Sequence, residues 1–246
     1  MKLRLSLQIV TLLLLCQLSK AQDWAGLDRF RAADDSLAAL PNQGNRVVFM
    51  GNSITDFWIN NDSAYFANNN YVDRGYSGQT SPQMLLRFRP DVIDLKPAAV
   101  VLLCGINDIA GNTGPSTLKM IEDNIQSMAE LGQASKIKVI LCSVLPAYDF
   151  PWKPNSFPSE KIIALNAWIS RYALDNHCAY IDYYSKMVED RNDSSMVNNQ
   201  KGMKKEFTED GVHPNKAGYV VMENIAQPVI RRIVKAKKAS ERNSLF

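Results

Sequence analysis

Short runs of apolar and β-branched residues recur along the chain, and stretches with helical periodicity separate them. Strands that are apolar at nearly every position are typical of a parallel sheet that helices cover on both faces. The predicted strands are 46–50, 71–73 (a weaker candidate), 99–103, 138–143 and 179–181, and the predicted helices are 80–91, 116–131, 159–176 and 216–235. The pattern predicts a three-layer α/β/α sandwich around a central, mostly parallel five-stranded sheet.

The first 21 residues have the composition of a secretory signal peptide. Lys2 and Arg4 precede an apolar stretch, and a small-residue site follows, so cleavage is expected after Ala21. Two alternatives stay open: a lipoprotein signal that uses Cys16, and an uncleaved anchor, although the apolar run is short of the ~20 residues that a spanning helix needs. The remainder, residues 22–246, is expected to form a single domain, exported to the periplasm or the exterior.

The charge balance argues against nucleic acid as a partner. The whole chain has 28 basic and 25 acidic residues, and the predicted signal peptide contains three of the basic ones and no acidic one. The mature protein would therefore be neutral, without the excess of basic residues that replaces counterions on phosphates. Stable membrane insertion is not expected either, and the sequence does not indicate an oligomeric state.

Three cysteines follow the predicted cleavage site: Cys104, Cys142 and Cys178. They lie in or beside apolar runs, where cysteine usually behaves as a small buried hydrophobe. An odd number cannot form a closed disulfide framework, although a single bridge between Cys104 and Cys142 stays open. Neither these cysteines nor the two histidines, His177 and His213, have the spacing of a metal site.

Polar segments follow the predicted strands or precede the last helix. They are Gly51-Asn52-Ser53-Ile54, Asp73-Arg74-Gly75-Tyr76-Ser77-Gly78, Gly105-Ile106-Asn107-Asp108 and Asp210-Gly211-Val212-His213-Pro214. In open α/β sheets ligands bind outside the carboxyl ends of the strands, so these four segments are expected to meet at one rim.

The four segments, in this order, resemble the sequence blocks of the SGNH subset of the GDSL esterases and lipases. The matching residues are Ser53, Gly75, Asn107 and His213, and the resemblance extends over about residues 45 to 226. It implies a flavodoxin-like SGNH hydrolase fold and a carboxylic ester hydrolase that needs no cofactor. Two positions depart from the family's pattern, since Asn52 stands where Asp is usual and Asp73 where Asn is usual; neither is assigned a catalytic role.

The chemistry of ester cleavage explains why these residue types are needed. A serine hydroxyl requires an adjacent base, which His213 would provide, and Asp210 can orient the imidazole and stabilise its cation. His177 is instead expected to have a structural role at the end of a helix. The resemblance implies an oxyanion hole formed by the N–H groups of Ser53 and Gly75 and the amide of Asn107, with Gly75 at positive φ to let its backbone approach the substrate.

The substrate is the least determined part of the prediction. Aromatic residues in the loop after the fourth strand, Tyr148, Phe150 and Trp152, are candidate substrate-binding residues that would stack on sugars or wall an acyl pocket; they could equally pack the loop. Phe57 and Trp58 are expected on the buried side of the helix after the nucleophile. The favoured function is removal of short acyl groups, above all acetyl, from carbohydrate or similar small esters. A lysophospholipase or thioesterase, and more remotely a non-catalytic carbohydrate-binding protein, are the alternatives.

Overall fold

The computed structural model describes residues 23–41, 44–189 and 201–243. The predicted signal peptide, residues 1–21, lies outside the described residues. None of the helices in the described part of the chain has both the length and the apolar character that crossing a membrane would require.

Five parallel strands form the central sheet, in the order β2-β1-β3-β4-β5. The strands are β1 (Val47–Gly51), β2 (Tyr71–Gly75), β3 (Ala99–Leu103), β4 (Lys138–Cys142) and β5 (Ala179–Ile181). Every residue of β1 and β3 is buried, as expected for the centre of a sheet covered on both faces. The five predicted strands are confirmed, with ends shifted by at most two residues.

Helices cover both faces of this sheet. They are α1 (Arg31–Ala38), α2 (Ser53–Asp56), α3 (Trp58–Asn61), α4 (Ser63–Asn69), α5 (Ser81–Phe88), α6 (Ile106–Ala110), α7 (Leu118–Ala134), α8 (Ser159–Asp175), α9 (Tyr184–Met187) and α10 (Lys216–Asn243). A π-helical turn, Arg89–Ile93, extends α5, a 3-10 turn spans Lys205–Phe207, and β6 (Val188–Glu189) pairs with β7 (Gly202–Met203). Along one face α7 contacts α5 and α8, while α10 contacts α3 on the other. The predicted three-layer sandwich is confirmed.

All three cysteines of the described part of the chain are free thiols. Cys104 and Cys142 are buried, and burial raises the pKa of both thiols. The open alternative of a Cys104–Cys142 bridge is therefore not realised, and both residues act as small apolar core residues.

Candidate active site

Ser53 lies at the junction between β1 and α2. Asn52 caps that helix through its Oδ1 atom, which accepts the N–H of Ile54 at 3.0 Å. A Cβ atom on Gly51 would come within 2.0 Å of Thr55 Oγ1, so only glycine allows the chain to turn this closely into the helix. The strand-to-helix junction thus holds the Ser53 hydroxyl at the carboxyl end of β1.

His213 connects Ser53 to Asp210. Its Nε2 atom is 2.8 Å from Ser53 Oγ, and its Nδ1 atom is 2.6 Å from Asp210 Oδ2. These distances fit a neutral imidazole that donates from Nδ1 to the carboxylate and accepts the serine hydroxyl at Nε2. The structure therefore brings the three predicted residues together in a continuous chain of hydrogen bonds.

The loop that contains His213 is stabilised largely from within. Asp210 Oδ1 accepts the N–H groups of Val212 at 2.9 Å and His213 at 2.8 Å, while Thr208 Oγ1 donates to the His213 carbonyl at 2.7 Å. Burial disfavours the charged form of Asp210, but its hydrogen bonds with His213 and Val212 prevail and lower its pKa. Asp210 is thus a carboxylate whose charge faces the imidazole.

Asn107 lies in α6, directly after β3. Its side chain is buried, and its Nδ2 atom donates to the carbonyl of Gln79 at 2.9 Å. Gly105 precedes the helix as its N-cap residue, and its φ of +115° lies in the region that favours glycine. The neighbouring Asp108 accepts the N–H and the hydroxyl of Ser81, which fixes the start of α5 beside this loop.

Two glycines of the second block differ in their surroundings. The N–H of Gly75 donates to Asp73 Oδ1 at 2.6 Å, and a Cβ atom on Gly75 would lie 2.0 Å from the backbone nitrogen of Asp56. The positive φ predicted for Gly75 is wrong; it occurs at Gly78, where φ is +81°. Gly75 is therefore required by packing against α2, while Gly78 lines the cleft next to Ser53.

An open cleft of about 700 Å³ lies beside these residues, and its lining includes Ser53, Asn107 and His213. Trp152 also lines it, and its ring centre is 6.2 Å from that of His213. A second cavity, of about 460 Å³, lies at the other end of β2, next to Tyr71, and is remote from the serine. Of these two, the larger cleft is the one that Ser53 lines.

Of the three predicted substrate-binding aromatics, Trp152 is the one that lines the cleft. It is 46% exposed and stacks on the buried Phe150, with ring centres 5.2 Å apart, so Phe150 supports it from behind. Tyr148 contacts Phe157 instead. The aromatic loop therefore presents one indole ring to the cleft and uses its other rings for packing.

Phe57 corrects a prediction about the residues that follow Ser53. Trp58 is buried, as expected, but Phe57 is 40% exposed, lines the cleft and has its ring centre 5.3 Å from that of His213. Phe57 lies between α2 and α3, and its side chain points about 100° away from that of Trp58, toward the cleft. Asn112 and Lys153 are further cleft residues that the sequence motifs did not indicate.

Asp73 is a partly buried carboxyl group beside α2. Burial raises its pKa to about 7, and the charge of Asp56 acts in the same direction, against the hydrogen bond from the Gly75 N–H. Asp73 does not line the cleft. His177, at φ +56° just beyond the end of α8, likewise lies outside the cleft lining. Within the described ranges, no group of three or more His, Cys, Asp or Glu side chains is placed to hold a metal ion.

The parallel sheet, with a serine, a histidine and an aspartate meeting at its carboxyl end, has the arrangement of an SGNH-type hydrolase. A sequence profile of the GDSL-like lipase/acylhydrolase family matches residues 49–221, and the chain belongs to this family. The resemblance inferred from the four blocks is thus confirmed, and the protein is an ester-cleaving hydrolase.

Solved structures agree with this assignment. A GDSL-like lipase from Bacteroides thetaiotaomicron VPI-5482 is 44% identical, covers 85% of this chain and 98% of its own, and superposes with a TM-score of 0.78. A protein named as an acylhydrolase, from Bacteroides fragilis NCTC 9343, is also 44% identical over 87% of this chain and 99% of its own, with a TM-score of 0.80. An acetylxylan esterase from Geobacillus stearothermophilus, 17% identical over 77% of this chain and 95% of its own, shares the fold with a TM-score of 0.58. Among curated proteins, none matches this sequence.

Proposed function

We propose that the protein removes short acyl groups, above all acetyl, from carbohydrate or similar small esters through an acyl-enzyme. The observation that carries the catalytic part is the 2.8 Å contact between Ser53 Oγ and His213 Nε2, backed by the 2.6 Å contact of His213 Nδ1 with Asp210. A hydroxyl needs a base at this distance to become a nucleophile near neutral pH.

The reaction would proceed in two steps. Ser53 Oγ attacks the ester carbonyl while its proton passes to His213 Nε2, and the resulting imidazolium is stabilised by Asp210. His213 then gives the proton to the departing alcohol, which leaves an acyl group on Ser53. A water molecule, deprotonated by His213, attacks this acyl-enzyme, and the acid departs as Ser53 regains its proton.

The oxyanion formed at each step requires donors that are already in place. We assign them to the N–H of Ser53, which lies in the first turn of α2, and to the Nδ2 group of the buried Asn107. For the third donor we replace Gly75 with Gly78. The N–H of Gly75 is bound by Asp73, whereas Gly78 lies in the cleft, where a Cβ atom would meet nothing within 4 Å.

Trp152 supports carbohydrate as the source of the ester. Its exposed indole lies beside the catalytic histidine and is backed by Phe150, an arrangement that offers a flat apolar surface to a sugar ring. Asn112 Oδ1 accepts the indole N–H at 3.2 Å and places an amide at the edge of the same surface. A sugar would thus find stacking and hydrogen bonding side by side.

The proposal is tested by hydrolysis of p-nitrophenyl acetate, butyrate and palmitate and of acetylated xylo-oligosaccharides, with Ser53→Ala alongside. We expect the acetyl esters to be cleaved fastest, the palmitate slowest, and all activity to be lost in the variant. Cleavage of long-chain esters alone would replace the proposal with a lysophospholipase or thioesterase. Ser53→Ala with wild-type activity would refute the catalytic assignment itself.

We further propose that residues 1–21 direct export and are removed, leaving residues 22–246 as one catalytic domain. The support is the basic, apolar and small-residue order of the first residues. The full chain can be expressed in a bacterial host and the product outside the cytoplasm sequenced from its amino terminus. A start at Gln22 is expected; a lipid-modified Cys16 or an intact Met1 would contradict it.

A further inference from the structure

Residues 24–29, which precede both α1 and the matched part of the family profile, lie against the loop Tyr76–Gln79. The carbonyl of Ala25 accepts the Nε2 group of Gln79 at 2.5 Å. A Cβ atom on Gly26 would come within 2.0 Å of the Tyr76 ring, so this backbone rests directly on the aromatic side chain. The amino-terminal segment is therefore built against the loop that contains Gly78.

Arg29 and Asp56 extend this contact to the nucleophile helix. The guanidinium of Arg29 lies 4.5 Å from the ring centre of Tyr76, and its Nη2 atom donates to Asp56 Oδ1 at 3.0 Å. The other carboxylate oxygen of Asp56 accepts both the N–H of Ser77, at 3.1 Å, and its hydroxyl, at 2.6 Å. Asp56 is the last residue of α2, which begins at Ser53, so one carboxylate joins the nucleophile helix, the loop and the amino-terminal segment.

The same loop also holds Asn107. The carbonyl of Gln79 accepts the Nδ2 group of Asn107, and the side-chain oxygen of Gln79 accepts from the buried Arg87 at 2.6 Å. The loop Tyr76–Gln79 thus contains Gly78 and also sets the direction of the Asn107 amide. A displacement of this loop would move two of the three proposed oxyanion donors at once.

We infer that Arg29 and Asp56 are positioning residues, which fix the Gly78 loop relative to Ser53 and thereby set the geometry of the oxyanion hole. This inference rests on the proposed function. Gly78 cannot be fixed by its own side chain, and the two hydrogen bonds that Ser77 donates to Asp56 hold the adjacent residue. The Arg29 side chain is 40% exposed, and pairs this exposed contribute little to global stability, so its effect should fall on catalysis rather than on folding.

The test compares Asp56→Ala, Arg29→Ala and Arg29→Lys with wild type. Arg31→Ala is the matched control, because Arg31 forms an exposed ion pair with Asp28 in the same segment and its side chain is 67% exposed. We expect kcat and kcat/KM of Asp56→Ala to fall together by about 10- to 100-fold, since a misplacement of about 1 Å can cost 10²-fold. Arg29→Ala should lose several-fold, Arg29→Lys should recover part of that loss, and Arg31→Ala should match wild type.

Phosphonylation of Ser53 by a fluorophosphonate provides a readout that does not depend on the natural ester. Its rate should fall in parallel with kcat in Asp56→Ala and Arg29→Ala while the melting temperatures of Arg29→Ala and wild type agree. Wild-type kcat and labelling in both variants, or a rise in KM alone, would overturn the inference. Failure of the wild-type protein to be labelled would instead refute the proposed nucleophile. If Asp56→Ala does not fold, Arg29→Ala and its rescue by lysine decide the matter.

Discussion

The two halves of the candidate site are stabilised in different ways. On the acid–base side, Thr208, Asp210 and His213 hold one another through hydrogen bonds within a six-residue segment. On the oxyanion side, Gly78 lies in the loop Tyr76–Gln79 and Asn107 in α6, and their neighbours come from the amino-terminal segment, α2 and α5. One half is a local motif, and the other is a product of tertiary structure.

The two halves should therefore tolerate substitutions differently. A local loop with its own hydrogen bonds keeps its conformation when distant parts of the protein are altered. Donors that several elements position together are sensitive to each of those elements. Substitutions in the acid–base loop should therefore act on chemistry alone, while those on the oxyanion side should have effects that spread and do not add.

The largest effect is expected from His213→Gln, which removes the base. Activity should fall by at least about 10⁴-fold, since loss of the histidine of such a triad costs up to about 10⁶-fold. The measurement is kcat on p-nitrophenyl acetate. His177→Gln changes the chain's other histidine and should match wild type. Equal losses in the two variants would show that His213 is not the base.

Asp210→Asn should have the second largest effect, a loss of about 10³- to 10⁴-fold in kcat. Asparagine retains the oxygen that accepts the N–H groups of Val212 and His213 but cannot stabilise the imidazolium. We therefore expect the melting temperature to stay near that of wild type while activity is lost. A clear drop in melting temperature in Asp210→Asn would show instead that this loop contributes to overall stability, and would contradict the expected difference between the two halves.

Asn107→Ala tests the other half and should lower kcat by about 10²- to 10³-fold, the usual effect of removing one oxyanion donor. Asn124→Ala, in α7, removes a partly buried amide bonded to Ser81 outside the cleft lining and is the control. Combined with Arg29→Ala, Asn107→Ala should lose less than the product of the single effects, because both act on one loop. If the loss in the double variant equals the product of the two single losses, the two residues act independently.

Asp73→Asn should have the smallest effect on catalysis, with kcat within a few-fold of wild type. Because burial raises the pKa of Asp73 to about 7, folding takes up a proton, and wild-type stability declines as pH rises from about 4 to about 7. The asparagine variant lacks this decline, so its advantage should grow over that range by about 1.4 kcal/mol per unit of pKa difference. Urea unfolding at pH 4.5 and 7.5 measures it; a constant difference would contradict the assignment.

Much of the fold is predictable from the sequence because buried parallel strands leave an unbroken apolar signal. All five strands and the helices α5, α7, α8 and α10 were predicted. The prediction missed α1 and α4, which have eight and seven residues, and also α2, α3, α6 and α9, whose four or five residues are too few to show a helical period. The helix at the carboxyl end continues to Asn243, eight residues beyond its predicted end at 235. The prediction stopped too early because the last turns are polar and lack the apolar stripe that marks a helix in the sequence.

The candidate site was predictable to the extent that its residues follow strands. Ser53 and Asn107 could be located because they follow strands whose ends meet at one rim, whereas Asp210 and His213 were located through the resemblance of the segment before the last helix. Gly75 and Gly78 could not be distinguished, because both fit a glycine-rich turn and only the backbone angles separate packing from access. The same limit explains Phe57, whose neighbour Trp58 is equally apolar but turns to the core.

The separation of Ser53 from His213 by 160 positions has a consequence for biosynthesis. The nucleophile and all the proposed oxyanion donors are made in the first half of the chain, whereas the base comes near its end, just before α10. Tyr219 in that helix donates its hydroxyl proton to the carbonyl of Ile54 at 2.8 Å, so the last helix also braces the nucleophile helix. Under the proposed mechanism Ser53 has no base until His213 has been made, so we expect esterase activity only after the carboxyl-terminal helix has docked.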